Sequence, residues 1–229
     1  MIALHLLGKR PYAPVHDLQR AWVDARAAGE VDDGVILVEH EPTITVGRAR
    51  GAAAHVHDPR GMPVIEVERG GDVTWHGPGQ LVAYPIVKLE GTKADLHLHL
   101  RALEQAMIDV LASVGVTAGR DPRNTGAWVD GRKIGSVGIA CRRWVTWHGL
   151  ALNVAVALDW FRSIEPCGFD PSVMTSLQEH VRSTFIDDPH ALARPLAAAL
   201  AHTLELPWTG EVQHEVPAQV FARLTDRGT

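Results

Sequence analysis

The stretch AWVDGRKIGSVGIA, Ala127 to Ala140, decides the fold class. Two apolar-rich runs, Ala127–Val129 and Lys133–Ala140, flank Asp130-Gly131. Asp-Gly between such runs is the strongest short-range signal for a β-hairpin, because its tight turn needs two residues that tolerate positive φ. Working outward, Trp144–Val154 supplies a further strand. On the other side Leu96–Val114 places Leu96, Leu100, Leu103, Met107, Val110 and Leu111 at helical spacing, with Gly115 as its stop. Val35–Val38 and Val64–Val67 are short strand candidates bounded by turn formers, and Leu81–Val87 is another. Val15–Ala28 carries a helical stripe of Val15, Leu18, Ala21, Trp22 and Ala25 ending at Gly29. Pro189–Leu206 reads as a helix that Pro195 kinks, and the last two dozen residues carry no strong pattern. Hairpins mixed with helices, without regular βαβ alternation, predict an α+β domain.

With 229 residues, 46% apolar and 21% charged, the chain is long enough to bury a substantial core, and one domain is expected. A net charge of −5 disfavours general binding to nucleic acid, which needs phosphate neutralisation. The charge is uneven. Residues 155–229 are acidic, whereas Arg120, Arg123, Arg132, Lys133, Arg142 and Arg143 face only Asp121 and Asp130 over 120–143. That segment is either a solvated hairpin or a landing site for an acidic partner. No secretory pattern opens the chain, and its most apolar candidate span, Ala191–Ala201, is interrupted by Arg194 and Pro195. Together with only two cysteines, this predicts a cytoplasmic protein without a membrane partner.

The densest chemistry lies in RGGDVTWHGPGQLVAY, Arg69 to Tyr84. Its glycines 70, 71, 77 and 79 allow positive φ and close ligand approach, while Arg69 and His76 offer polar groups, so it reads as a binding loop or as a hairpin using glycine for geometry. It is neither a P-loop nor G-x-G-x-x-G. Lys133, in GRKIGSVG, is a solvated surface lysine or a buried one with a lowered pKa. Cys167 lies between Pro166 and Gly168, a pair that suits an exposed turn, as a nucleophile or a structural thiol. Cys141 follows an apolar run and reads as core. His97 and His99, two apart on a helix, point about 200° apart and share no metal. His55 and His57 lie in a loop without a third ligand in a recognisable spacing, and no metal site is expected.

The segments ERGGDVTWHGPGQLVAYPI, GRKIGSVG and PCGF, in this order, resemble the lipoyl(octanoyl) transferases, and the spacing of Lys133 and Cys167 matches that family's pair. The resemblance runs from about residue 35 to about 206 and implies one catalytic domain over 1–229 with the biotin/lipoate protein ligase fold, a mixed β-sheet flanked by helices. It implies octanoyl transfer from octanoyl-acyl carrier protein, through a thioester on Cys167, to a lysine of lipoyl domains, in 2-oxoacid dehydrogenase complexes and the glycine cleavage H protein. Cys167 and Lys133 are then catalytic. Substrate contacts carry over to Arg69, Gly70, Gly71, Asp72, Val73, Thr74, Trp75 and His76, to Ser136, Val137 and Gly138, and to Gly149, Leu150 and Ala151. Backbone N–H groups around Cys167-Gly168, or a group from Gly70–His76, are candidate oxyanion donors. No cofactor is expected. The competing readings are an ATP-dependent lipoate–protein ligase and a non-catalytic module that binds carrier or lipoyl domains.

Overall fold

The computed structural model of the chain describes residues 2–181 and 188–225. Its centre is a sheet of eight strands in the order β11-β1-β2-β6-β10-β9-β8-β7. In chain order these are β1 (Ile2–Arg10), β2 (Gly34–His40), β6 (Gln80–Ile86), β7 (Gly119–Asp121), β8 (Asn124–Val129), β9 (Arg132–Arg142), β10 (Val145–Asn153) and β11 (Trp208–Gln213). A smaller sheet, β4-β3-β5, is built from β3 (Thr43–Val46), β4 (Val64–Glu66) and β5 (Val73–His76). The hairpin expected at Asp130-Gly131 is present as β8–β9, with Asp130 at φ 49° and Gly131 at φ 74°. The architecture is α+β, a mixed sheet flanked by helices.

Strand side chains alternate between faces, and both faces of this sheet are covered. Val35, Leu37, Leu81, Ala83, Leu150 and Leu152 pack into one core with helices α2 (Leu96–Ser113) and α3 (Ala193–Thr203). Their neighbours Ile36, Val38, Val82, Tyr84 and Ala151 pack into another with α1 (Tyr12–Ala28) and α4 (Ala218–Thr225). Burial on both sides explains why β2, β6 and β10 read as near-continuous apolar runs rather than alternating ones.

The structure adds one strand to those expected from sequence and corrects two expectations. Residues 2–10 form a strand, and β1–α1–β2 is a parallel crossover unit within a largely antiparallel sheet. In the fold His5 is wholly buried, its Nδ1 2.5 Å from the Glu215 carbonyl oxygen and its ring edge-on to Trp22. The tail is also structured as far as it is described: β11 adds a parallel strand outside β1, and α4 packs against α1. Residues 226–229 of that tail lie outside the described residues. Finally, the expected helix 189–206 divides into a 3₁₀ turn, Pro189–Leu192, and α3. Pro195 falls in the first turn of α3, where no intrahelical N–H is required, so it does not kink the helix.

Without β11, β1 becomes an open strand edge whose Ile2 and Leu4 lose cover. A chain ending at Leu206 is expected to melt at a lower temperature than the full chain and to self-associate. Thermal denaturation and sedimentation velocity check both outcomes.

Candidate active site

Lys133 lies in the first half of β9 with 2% of its surface exposed. A bare ammonium there would be strongly unfavourable, so its partners matter. Nζ donates to Asn124 Oδ1 across the hairpin, stands 3.8 Å from Cys167 Sγ and lies 5.8 Å from the centre of the Trp128 ring. Burial lowers the Lys133 pKa from its ordinary value, and the Cys167 thiol beside it draws the value partly back up. Between the two readings open from sequence, the fold places this lysine inside.

Room for the Lys133 stem comes from Gly126, at φ 148°. A Cβ there would lie 2.2 Å from the Gly135 carbonyl oxygen and 2.9 Å from Lys133 Cε. The Gly126 N–H donates to the buried Glu104 Oε1 at 2.9 Å, and Arg101 and Arg120 pair with the other oxygen of Glu104. Cys167 belongs to the 3₁₀ turn Pro166–Gly168 and has φ 59°, a left-handed conformation uncommon for a side chain with a Cβ. Phe169 packs edge-on against Trp128 and fastens this turn to the hairpin. The Gly168 N–H donates to the Glu165 carbonyl at 3.1 Å, so it is engaged and not free for an oxyanion.

The thiol and the ammonium share the wall of a cleft of about 580 Å³, mouth included. Of the residues singled out from sequence, Arg69, Gly71, Asp72, Val73, Thr74 and His76 line it, as do Ser136, Val137, Gly138, Gly149, Leu150 and Ala151. Gly70 and Trp75 do not. The Gly70 N–H donates to the Ile139 carbonyl, joining the loop to β9, and the Trp75 indole points into a separate core where it donates to Met62 Sδ. Arg69 reaches the wall mainly as a brace. Its guanidinium donates to the carbonyls of Gly70, Asp72 and Thr45 and to Thr45 Oγ1, all at 2.7–3.2 Å. Gly71 and Gly79 use positive φ as expected, whereas Gly77 is needed because a Cβ would strike the Trp75 ring.

Sequence reasoning missed Tyr12, Val82, Tyr84, His148 and Pro166 in the wall, and Asn124 behind it. It also missed a buried chain that connects the glycine-rich segment to Lys133. His76 Nδ1 bonds Gln80 Oε1 at 2.8 Å, Gln80 Nε2 donates to Asn153 Oδ1 at 3.0 Å, and Asn153 Nδ2 donates to the Thr175 carbonyl at 2.9 Å. The Thr175 N–H in turn donates to the Lys133 carbonyl at 2.9 Å. These contacts cross long sequence separations, and no local signal marks them. Burial holds His76 neutral with its pKa lowered to about 3, and His40, 2.8 Å from Tyr84 Oη, at about 4.

Other expectations are revised. Cys141 is half-buried rather than core, and burial raises its pKa. The basic stretch 120–143 is no continuous cationic face. Arg120 pairs with Glu104, Arg123 with Asp121, Arg132 with Glu179 and Arg142 with Asp24, while Lys133 is interior. His97 is exposed and His99 buried, so the two indeed diverge. His55 and His57 each pair with an acid, Asp72 and Glu165, instead of with each other.

Residues 11–193 match the family described as the lipoyl protein ligase A/B catalytic domain. The chain is 48% identical over 171 residues to an octanoyltransferase of Geobacter metallireducens, covering 75% of this chain and 79% of that one. It is 44% identical over 200 residues to an octanoyltransferase of Geobacter sulfurreducens, covering 86% and 84%. The bi-partite lipoate protein ligase of Thermoplasma acidophilum superimposes with a TM-score of 0.74 at 15% identity, over 99% of this chain and 91% of that one, a likeness of fold. The chain belongs to the lipoyl protein ligase A/B catalytic domain family. Within it the chain stands with the octanoyltransferases, which are acyltransferases, and the ligase alternative is not favoured.

Two outcomes follow from this geometry. A hydrogen bond to a charged group contributes about 1.5–3 kcal/mol, so Asn124→Ala loosens the hold of Lys133 on its proton and weakens its support of a thiolate. Iodoacetamide alkylation of Cys167 is expected to slow roughly tenfold or more at neutral pH. An unchanged alkylation rate would remove Asn124 from the site. His40 and His76 have folded pKa values depressed to about 4 and about 3. Their contribution is therefore fully present above the unfolded value near 6.5 and declines as pH falls towards the folded values. The melting temperature should drop between about pH 6.5 and 4, and His76→Gln should flatten that slope in a pH series of thermal melts.

Proposed function

We propose that Cys167 carries the acyl group and that Lys133 manages its proton. The chain is an acyltransferase of protein lipoylation, and the observation that supports these roles is the 3.8 Å approach of Lys133 Nζ to Cys167 Sγ at a largely apolar cleft. In the first half-reaction the Cys167 thiolate attacks the thioester carbonyl of octanoyl-acyl carrier protein. The new C–S bond forms as the C–S bond to the carrier breaks, and the leaving thiolate takes a proton from Lys133. One thioester replaces another at nearly equal energy.

In the second half-reaction the ε-amino group of a lipoyl-domain lysine attacks the Cys167 thioester. Lys133, neutral after the first step, takes the proton that this nitrogen gives up. A C–N bond forms, the C–S bond breaks, and the thiolate returns beside the ammonium. Amide formation drives the sequence without ATP because the acyl group arrives activated. A lysine with its pKa lowered by burial suits both directions of transfer better than a solvated one.

Val73, Val82, Val137, Leu150 and Ala151 supply apolar wall for the octanoyl chain, at roughly 0.8 kcal/mol for each buried methylene. Thr74, Ser136, Gly138 and Gly149 stand in the same wall as its polar and close-approach positions. The acceptors in this reading are lipoyl domains of 2-oxoacid dehydrogenase complexes and the glycine cleavage H protein. The whole chain works as one catalytic domain in the cytoplasm; no helix among the described residues is long and apolar enough to cross a membrane.

Incubation with octanoyl-acyl carrier protein, followed by intact-mass analysis and peptide mapping, is expected to find one octanoyl group on Cys167. Cys167→Ser should form no thioester and lose turnover, and Cys141→Ala should retain both. Full activity in Cys167→Ser, an adduct on Cys141, or product formed only with ATP and without an adduct would each overturn the assignment.

A further inference from the structure

We infer that His16 on α1, Glu68 in the segment after β4, and His148 on β10 form a binding site for a divalent transition-metal ion, with Zn²⁺ as the best fit. The three donor atoms lie within 4.8 Å of one another, although the residues come from separate parts of the chain. Bonds of about 2.0–2.2 Å place neighbouring donors of a tetrahedral ion roughly 3.3 Å apart, so small side-chain rotations close the trio on an ion.

An ordinary ion pair does not account for this arrangement. His16 Nε2 lies 2.8 Å from Glu68 Oε2, which satisfies those two groups. His148 reaches the same carboxylate only at the outer limit of an ion pair. Its side chain is 2% exposed, neither ring nitrogen has a hydrogen-bond partner, and Nε2 stands 3.9 Å from the same Glu68 oxygen, too far for a hydrogen bond. A buried imidazole with two unpartnered nitrogens, aimed at a carboxylate that another imidazole already shares, is what a metal ligand looks like before the ion arrives.

The surroundings fix these donors. His148 has φ 56° within a strand, held by its N–H donating to Gln19 Oε1 on α1 at 2.9 Å. Its ring stacks on Trp147 with centroids 4.5 Å apart, and His16 lies almost parallel to Trp147 at 5.6 Å. Stacking, rather than a second hydrogen bond, orients the His148 ring. Arg20 Nε stands 3.9 Å from Glu68 Oε1, which leaves Oε2 for the ion.

Two imidazole nitrogens and one carboxylate oxygen suit Zn²⁺ better than Mg²⁺ or Ca²⁺, which prefer oxygen alone. On binding, each imidazole offers the ion a lone pair on one ring nitrogen, and the ion takes its place between the two rings and Glu68. The site then carries one net positive charge and joins α1 to β10. Since His148 also lines the acyl cleft, the ion stiffens that wall. The proposed transfer steps run through Cys167 and Lys133 alone, so this inference stands apart from the proposed function.

The test is titration of chelator-stripped protein with Zn²⁺ alone, in competition with a chromophoric chelator. One Zn²⁺ per chain is expected, together with a rise in melting temperature. Glu68→Gln, which keeps the volume and an acceptor oxygen, and His148→Ala should each weaken binding at least tenfold, while Cys141→Ser/Cys167→Ser should bind as the unaltered chain does. Far-UV circular dichroism reports whether His148→Ala folds, and if it does not, Glu68→Gln decides alone. No stoichiometric Zn²⁺, a loss of less than tenfold in folded Glu68→Gln, or binding abolished by the double cysteine variant would overturn the site.

Discussion

An ammonium group almost sealed from water sets the terms for the active half of this molecule. Lys133 is 2% exposed, and burial of a lone cation is so unfavourable that its surroundings must supply acceptors and room. Asn124 accepts from it, the Cys167 thiol faces it, and the Trp128 ring lies beside it. Each of those neighbours depends on something further out. Asn124 and Gly126 share β8, and the Gly126 N–H is anchored on Glu104, a buried carboxylate whose charge Arg101 and Arg120 balance from the surface. A surface ion pair contributes little by itself, but here it permits an interior charge that positions the strand beside the lysine.

The same lysine is tied from behind. Its carbonyl receives the Thr175 N–H, and the side chains of Asn153, Gln80 and His76 continue that line to the glycine-rich segment. In a low-dielectric interior such a chain is favourable only when its members are satisfied, and His76 remains neutral within it. The glycine-rich segment therefore does two jobs. Asp72, Val73 and Thr74 face the cleft, whereas Arg69 spends its guanidinium on backbone carbonyls and Trp75 fills the core beneath the smaller sheet.

Electrostatics at the surface differ from a count along the chain. Arg120, Arg123, Arg132 and Arg142 meet Glu104, Asp121, Glu179 and Asp24, so three of these four acidic partners come from outside the stretch 120–143. Opposite charges brought within 4 Å cancel at a distance, and a partner approaching this hairpin meets ion pairs rather than a bare cationic patch.

By itself the sequence determined what is local. Periodicity located α1, α2 and the inner strands, Asp130-Gly131 placed the hairpin, and the ordered motifs around His76, Lys133 and Cys167 marked the family. Those signals work because helix and strand repeats, turn dihedrals and contiguous motifs are written in neighbouring residues. Tertiary structure alone decided that Lys133 is interior and that Cys167 reaches it. It also decided that Arg69 braces rather than points, that residues 2–10 form a strand covered on its outer side by the edge strand 208–213, and that His16, Glu68 and His148 converge. Each of these depends on what a distant segment places beside a side chain, and burial, partner and charge are properties of that encounter. A single residue's place in the sequence does not contain them.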